Sequence, residues 1–373
     1  MKTKVFLFIG ICLFLSSCAS NKVQPEIKCE KELKLLFAGD IMAHTEITEG
    51  NYDFLLADVE LLIKNSDLSF ANFESPINDE LPQSSYPTFN CHSDYADKII
   101  SSGFNVFSLA NNHTNDQHLQ GIKSTKKYFD KKKETGIYSA GLKDFPDAPV
   151  NFTLIEKNDF KILFAAVTEV HNFATEFQWF DYVEPSENAR KQLVEQIQYE
   201  RTKSECDLLI LSFHTAEPEY ERSIAENSKN FYYSLIKSGV DVLWINHPHV
   251  SKEWETIHTR DNKQKIIFYS VGNTVSSQRR KPDFKRPNSS KEYTGDSFLF
   301  SVKIKKTGDE MMVGTPEPTL ITTYIKDGKD FVTKKLDDNL IQSLKEEGNE
   351  KWANYLSERK KTMSKIKGKD TWQ

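Results

Sequence analysis

Residues 242–249 read Val242-Leu243-Trp244-Ile245-Asn246-His247-Pro248-His249, a short apolar run that ends in two imidazoles. A run of this length, β-branched and aromatic and stopped near a proline, has the pattern of a buried strand. The same arrangement recurs along the chain. Gly39-Asp40 follows Leu35-Leu36-Phe37-Ala38, and Glu74 follows Leu68-Ser69-Phe70-Ala71-Asn72-Phe73. Asn111-Asn112-His113 follows Val106-Phe107-Ser108-Leu109-Ala110, and His214 ends Leu208-Leu209-Ile210-Leu211-Ser212-Phe213. Each of these runs hands over to an oxygen or imidazole side chain at its carboxyl end.

Further out, strands are expected at 34–38, 66–71, 105–109, 160–167, 207–213, 240–245 and 265–271, and helices at 54–63, 94–102, 119–133, 187–203 and 225–238. That alternation predicts an α/β fold, a layered arrangement with central β-sheets flanked by helices. The last third changes rhythm. Residues 298–305, 318–324 and 330–334 read as antiparallel strands joined by Thr307-Gly308-Asp309 and Lys326-Asp327-Gly328, before a polar helix from Leu340. The expected division is 33–305 for the core and 306–373 for an appended β-subregion with its terminal helix.

In α/β sheets ligands collect outside the carboxyl ends of strands, so these loops are expected to meet in one crevice. Taken singly, an Asp or Asn after a strand is more often a cap or turn residue, and Asn111-Asn112 alone is no more than that. Five independent caps with metal-compatible side chains are much less expected than one shared site. Carboxylate, carboxamide and imidazole together suit divalent Zn, Mn or Fe, not a thiolate metal or an all-oxygen calcium cage. Glu74 is suited to bridge two ions, which together activate a water and stabilise the oxygens of an in-line displacement. His247 and His249, flanking Pro248, are expected in an extended segment with their side chains on alternate faces.

The amino terminus carries Lys2 and Lys4, an apolar run at 5–15, then Ser16-Ser17-Cys18. This reads as an export signal over 1–17, too short to span a bilayer. Leu15-Ser16-Ser17-Cys18 resembles the bacterial lipoprotein cleavage box, which implies a lipid on Cys18 and an anchor in a cell-envelope membrane. An ordinary secretory signal is the alternative, and either one takes the chain out of the cytoplasm. Residues 18–32 are polar and read as a tether. Of five cysteines, Cys29, Cys91 and Cys206 remain beyond the leader and the lipidated position. No disulfide is expected from that odd number, and Cys206 reads as a small buried hydrophobe.

A formal charge of −5 argues against nucleic acid as a partner. Two basic stretches stand against it. The tail, with Lys351, Arg359-Lys360-Lys361, Lys365, Lys367 and Lys369, reads as a solvated face. The loop at 278–291 either folds over the crevice, with Arg279 and Arg280 on an anionic substrate, or is a mobile solvated segment. There is no nucleophile elbow, phosphate loop, dinucleotide fingerprint or His-Glu-x-x-His.

In order along the chain, Gly39-Asp40-Ile41-Met42, Ala71-Asn72-Phe73-Glu74-Ser75-Pro76, Ser108-Leu109-Ala110-Asn111-Asn112-His113, His214 with Glu219-Tyr220, His247-Pro248-His249-Val250 and Phe268-Tyr269-Ser270-Val271-Gly272-Asn273 resemble the motifs of the CapA-type poly-gamma-glutamate capsule-synthesis proteins. That family is a branch of the calcineurin-like metallophosphatase superfamily, and the likeness runs from about Leu33 to Thr274. The resemblance implies one ion held by Asp40, Glu74 and His249 and a second by Glu74, Asn112, His214 and His247. His113 then protonates the leaving group or stabilises the transition state, His44 is an added ligand of the first ion, and Asn273 a contact to substrate or to a ligand. The chain departs from the family's His-Trp-Gly-x-Glu-Tyr, reading His214-Thr215-Ala216-Glu217-Pro218-Glu219-Tyr220, and has Ile245 where the family tends to have Gly.

The function so implied is a metal-dependent hydrolase or transferase acting on an anionic polymer or phosphate ester, within an envelope polymer-synthesis complex. The alternative is a non-catalytic protein that holds or helps export such a polymer.

Overall fold

A computed structural model describes residues 30–308 and 310–372. The export signal, Cys18, Cys29 and the tether as far as residue 29 lie outside the described residues. The fold starts slightly earlier than expected, because residues 30–32 join the strand Glu30–Ile41 and pair with Lys305, Lys306 and Thr307.

Two sheets form the centre. The first runs, in spatial order, Asp330–Lys335, Glu317–Lys326, Asp296–Thr307, Glu30–Ile41, Leu68–Phe73, Val106–Ser108 and Tyr138–Ala140. The second runs Gly368–Trp372, Trp254–His258, Gln264–Phe268, Val242–Asn246, Leu208–His214, Phe160–Thr168 and Phe152–Lys157. Strand periodicity explains how they stack, since alternate side chains point to opposite faces. Leu33, Leu35 and Phe37 meet Phe164, Ile210, Trp244 and Phe268 of the second sheet, while Leu36 and Ala38 face helices. Phe37 stacks on Phe70 at 4.7 Å and meets the edge of Trp244 at 6.0 Å. Full burial of each such ring contributes about 1.5–3 kcal/mol.

Helices cover both outer faces. Ser93–Ser101, His118–Lys132, Asp338–Glu346 and Glu350–Met363 back the first sheet, and Glu187–Lys203 and Glu226–Lys237 back the second. Ser186 caps Glu187–Lys203 by accepting the Ala189 N–H, and Asp337 does the same for Leu340. The expected helix at 54–63 shortens to Glu60–Lys64. Residues 52–59 form single turns instead, and the Leu55 carbonyl accepts the Thr333 N–H of the first sheet.

The C-terminal strands join the two central sheets. Asp296–Thr307 lies beside Glu30–Ile41, Glu317–Lys326 and Asp330–Lys335 extend the same sheet, and Gly368–Trp372, unforeseen, edges the second. Met363 and Ile366 enter the core between the sheets.

Cys91 and Cys206 are free. Cys206 is only partly buried, however, because it lies just before its strand, with the Arg201 guanidinium 3.0 Å from Sγ. Among the described residues no helix is long and apolar enough to cross a membrane.

Candidate metal centre

Glu30–Ile41, Leu68–Phe73 and Val106–Ser108 are parallel in one sheet, and Leu208–His214 and Val242–Asn246 are parallel in the other. Their carboxyl ends meet across the sandwich, where Ser212 donates to Ser108 Oγ at 2.9 Å. Gly39 is required for the approach of Asp40. A Cβ there would come within 1.6 Å of the Gly272 carbonyl, to which Asp40 N–H donates at 3.0 Å.

The side chains then converge. Ligand atoms of Asp40, Glu74 and His249 lie within 4.8 Å of one another, as do those of Glu219, His247 and His249. Glu74 sits between the two groups of imidazoles, with Oε1 3.6 Å from His249 Nε2 and Oε2 3.8 Å from His214 Nε2. The rings of His214 and His247 are 4.7 Å apart.

Buried polar atoms normally find a partner. Here Glu74 Oε1, Asn112 Oδ1, His214 Nε2 and His247 Nδ1 are buried with no hydrogen-bond partner. Every one is a lone-pair donor of the type a divalent metal takes, so the residues present fit a metal centre. Their neighbours hold them in that state. Asn112 Nδ2 donates to Asn172 Oδ1 at 3.2 Å, and the Asn172 N–H donates to the Asn112 carbonyl, which turns Asn112 Oδ1 free. Asn72 Nδ2 ties Asp40 Oδ1 to Glu74 Oε2, at 2.8 Å each. His249 Nδ1 lies 3.0 Å from both Asp40 Oδ2 and Asn273 Oδ1, and its Nε2 faces Glu74 Oε1 at 3.6 Å.

Electrostatics keep most of these imidazoles neutral. Burial pushes His44 and His214 from 6.5 down to about 3, and burial with the nearby His214 pushes His247 well down. Burial also opposes charge on His249, but the hydrogen bond and charge of Asp40 outweigh it and raise His249. Asp40 is correspondingly held low by His249 against its own burial, while burial and then the Asp40 charge raise Glu74.

A pH dependence follows. Below 6.5 the unfolded chain binds protons on His44, His214 and His247 that the fold excludes. Their contribution to stability is therefore complete above that pH and lost as pH falls toward about 3, at a limit of about 1.4 kcal/mol per pH unit for each histidine. Glu74 and His249, both raised, act in the opposite sense, while Asp40, held low, loses its contribution as pH falls, as the three histidines do. The urea midpoint of the metal-free protein should drop between about pH 7 and about pH 5; a flat midpoint would show that these imidazoles are not neutral in the fold.

His113 lies beside the cluster. Its Nδ1 is 2.6 Å from Asp116 Oδ2, and Asp116 also accepts from the Phe89 N–H at 2.7 Å and from Asn172 Nδ2 at 2.9 Å. The carboxylate fixes the hydrogen on Nδ1 and leaves Nε2 to carry the mobile proton.

Some expected residues sit elsewhere. His44 is buried with Nδ1 facing the Ser277 N–H at 3.4 Å, and it belongs to neither close ligand group. Of its two expected contacts Asn273 makes the one to a candidate ligand, with Oδ1 3.0 Å from His249 Nδ1, while its Nδ2 donates to Gln278 Oε1 and the Thr294 carbonyl. Arg279 is 1 % exposed and paired with Asp296 at 2.7 Å, so it cannot meet a ligand in the crevice. Arg280 is exposed and held by Glu46. The loop at 278–291 is anchored by these pairs rather than free. His247-Pro248-His249 is not extended, because φ is +103° at His247 and +56° at His249. Strain of this kind is held by surrounding structure at functional sites, and here the Tyr220 N–H donates to the Pro248 carbonyl at 2.9 Å.

Asn72, Asp116 and Glu219 carry roles that motif reading left unassigned. The spacing of Asp116, three residues after His113, is a detectable signal for a turn that folds carboxylate onto imidazole. Glu219 had only its neighbouring Tyr220 as a cue, and the loop that carries it to His247 and His249 is a tertiary feature.

Residues 34–278 match the model of a family described as bacterial capsule synthesis protein PGA_cap. The capsule biosynthesis protein CapA of Bacillus anthracis is 28% identical over 261 residues, covering 66% of this chain and 61% of that protein. The chain thus spans somewhat less than two thirds of that relative. The PGA biosynthesis protein CapA of Bacillus subtilis (strain 168) is 25% identical over 377 residues, covering 94% of this chain and 90% of that protein. Among solved structures, a novel phosphatase from Mycoplasma pneumoniae has TM-score 0.45 and 16% identity, covering 79% of this chain and 95% of that one. The calcineurin-like phosphoesterase YfkN from Bacillus subtilis has TM-score 0.41 and 14% identity, covering 88% and 100%.

Proposed function

The chain belongs to the bacterial capsule synthesis protein family, and from that premise we propose a metal-dependent hydrolase or transferase acting on an anionic polymer or phosphate ester during capsule or poly-gamma-glutamate production. In this reading the protein is exported, and Cys18 carries the lipid that anchors it to the envelope membrane beside the polymer-synthesis complex. The observation that supports catalysis most is the convergence of Glu74 Oε1, Asn112 Oδ1, His214 Nε2 and His247 Nδ1, all buried and all without partners.

Asp40, Glu74 and His249 would hold one ion, and Glu74, Asn112, His214 and His247 would hold the other. When bound, the metal pair supplies Lewis acidity to the reacting centre and to a water. Asn72 keeps the two carboxylates at a fixed separation, and Asn172 aims Asn112. His113, oriented by Asp116, gives its Nε2 proton to the leaving oxygen or nitrogen.

Elemental analysis of the purified protein should find about two equivalents of Mn, Fe or Zn, and an Asn112→Ala/His214→Ala variant should lose them together with phosphoester hydrolysis. No metal under metal-replete conditions would end this reading. His113→Ala separates catalysis from polymer holding. It should lower turnover about 10²–10⁴-fold while metal content stays at the wild-type level; unchanged physiological activity would leave a binding protein.

A further inference from the structure

Lys365, Lys367 and Lys369 of the basic tail line a concave surface, with Lys365 and Lys367 exposed. Arg222, Lys229, Lys365, Lys367 and Lys369 surround a groove of about 570 Å³ whose lining also includes Lys252. Six cations there face two carboxylates, Glu226 and Glu253, in a chain of formal charge −5. Lys252 is committed to Glu217 and Lys369 to Glu253. Among the described residues, Arg222, Lys229, Lys365 and Lys367 have no ion-pair partner. Arg222 is nonetheless held in place, since its guanidinium lies 4.3 Å from the centre of the Tyr293 ring, against which Arg359 also packs at 4.4 Å.

The groove is joined to the metal centre by two separate segments. Arg222 comes three residues after Glu219, and Lys252 three residues after His249. Three residues extend at most about 11 Å, so the groove begins close to the metal ligands on both segments. Screening at physiological salt has a length of about 8 Å, so these cations act chiefly on an anionic ligand lying in the groove itself. Uncompensated like charges repel one another, and a chain with several negative groups relieves that repulsion.

We propose that this groove is the docking subsite for a linear polycarboxylate, which it holds beside the unit presented to the metal centre. The proposal rests on the catalytic reading above and extends it. Lysine favours carboxylates along a flexible chain over one planar bidentate anion, for which an arginine fork is the better match. A membrane surface fits less well, because none of the large exposed apolar side chains of the described residues lines the groove.

The test is fluorescence anisotropy with fluorescein-labelled poly-γ-glutamate on the full chain. Wild type is compared with Lys365→Glu/Lys367→Glu and with the milder Lys365→Gln/Lys367→Gln, all at solvent-exposed positions. Charge reversal should weaken binding by about tenfold or more and the neutral pair by less, with a shallower salt dependence in both. Metal content should match wild type in both variants. Equal polymer affinity in all three proteins overturns the groove, whatever the metal centre does. Charge-dependent binding to phosphatidylglycerol vesicles without polymer binding overturns it in favour of a lipid surface. Intact, lysine-dependent polymer binding in a protein that lacks metal and hydrolysis sustains the groove and defeats the catalytic reading alone.

Discussion

Glu74→Gln is expected to strip the centre of metal and to abolish turnover while leaving the metal-free fold as stable as wild type or more so. Glu74 is wholly buried, with Oε2 held by Asn72 and Oε1 without a partner. It stands between His249 and His214, 3.6 Å from one and 3.8 Å from the other, where a ligand shared by the two proposed ions would sit. Gln keeps the shape and one acceptor for Asn72 but removes the charge. Loss of an outer-shell partner typically costs 10–100-fold, about the least to expect from losing a bridging ligand.

The stability arm has a sign of its own. Burial and Asp40 raise Glu74 well above 4.5, so the metal-free fold retains a proton there that the unfolded chain releases. That contribution is present below the unfolded value and disappears as pH rises through the folded one. Glu74→Gln removes this slope. Metal analysis, phosphoester assay and urea denaturation at neutral and mildly acidic pH read the three effects. A variant that retains both ions would show that Glu74 is no bridge.

Asp296→Ala should cost about 3–5 kcal/mol of stability, more than Arg359→Ala. Asp296 accepts from Arg279 at 2.7 Å, Arg359 at 2.6 Å and Thr322 at 2.6 Å. All three charged side chains are fully buried. Removing the carboxylate leaves two guanidinium groups facing each other away from water. Arg359→Ala leaves Asp296 still paired with Arg279, so its loss is smaller. The lesion also loosens the centre, because Arg279 follows Gln278, whose Oε1 accepts from the Asn273 side chain that orients His249. Urea unfolding of both variants tests the order; a reversed order would mean that Arg359 stabilises chiefly by packing.

Arg279 and Arg359 show how far composition can mislead. Both belong to basic clusters, and a run of charges usually marks solvent. Only the pairing of Asp296–Thr307 with its neighbours brings the carboxylate that makes their burial tolerable. Lys365 and Lys367, from the same tail, do stay exposed. Cys206 errs the other way, a small apolar residue left partly exposed because it precedes its strand by two positions.

The linear chain determined which residues become strands, which faces of them are apolar, and which polar side chains stand at their ends. Period-two burial and turn chemistry are local, so Leu35, Phe37, Trp244 and the donors that follow such runs were legible from order alone. Tertiary structure decided that the strands divide between two stacked sheets, that His247 and His249 adopt positive φ, that Asn72 and Asn172 orient Asp40, Glu74 and Asn112, and that Asp116 orients His113. It also decided that residues 306–372 complete both sheets. Those outcomes depend on contacts between segments far apart in sequence, where the burial available to each side chain is set by its neighbours in space.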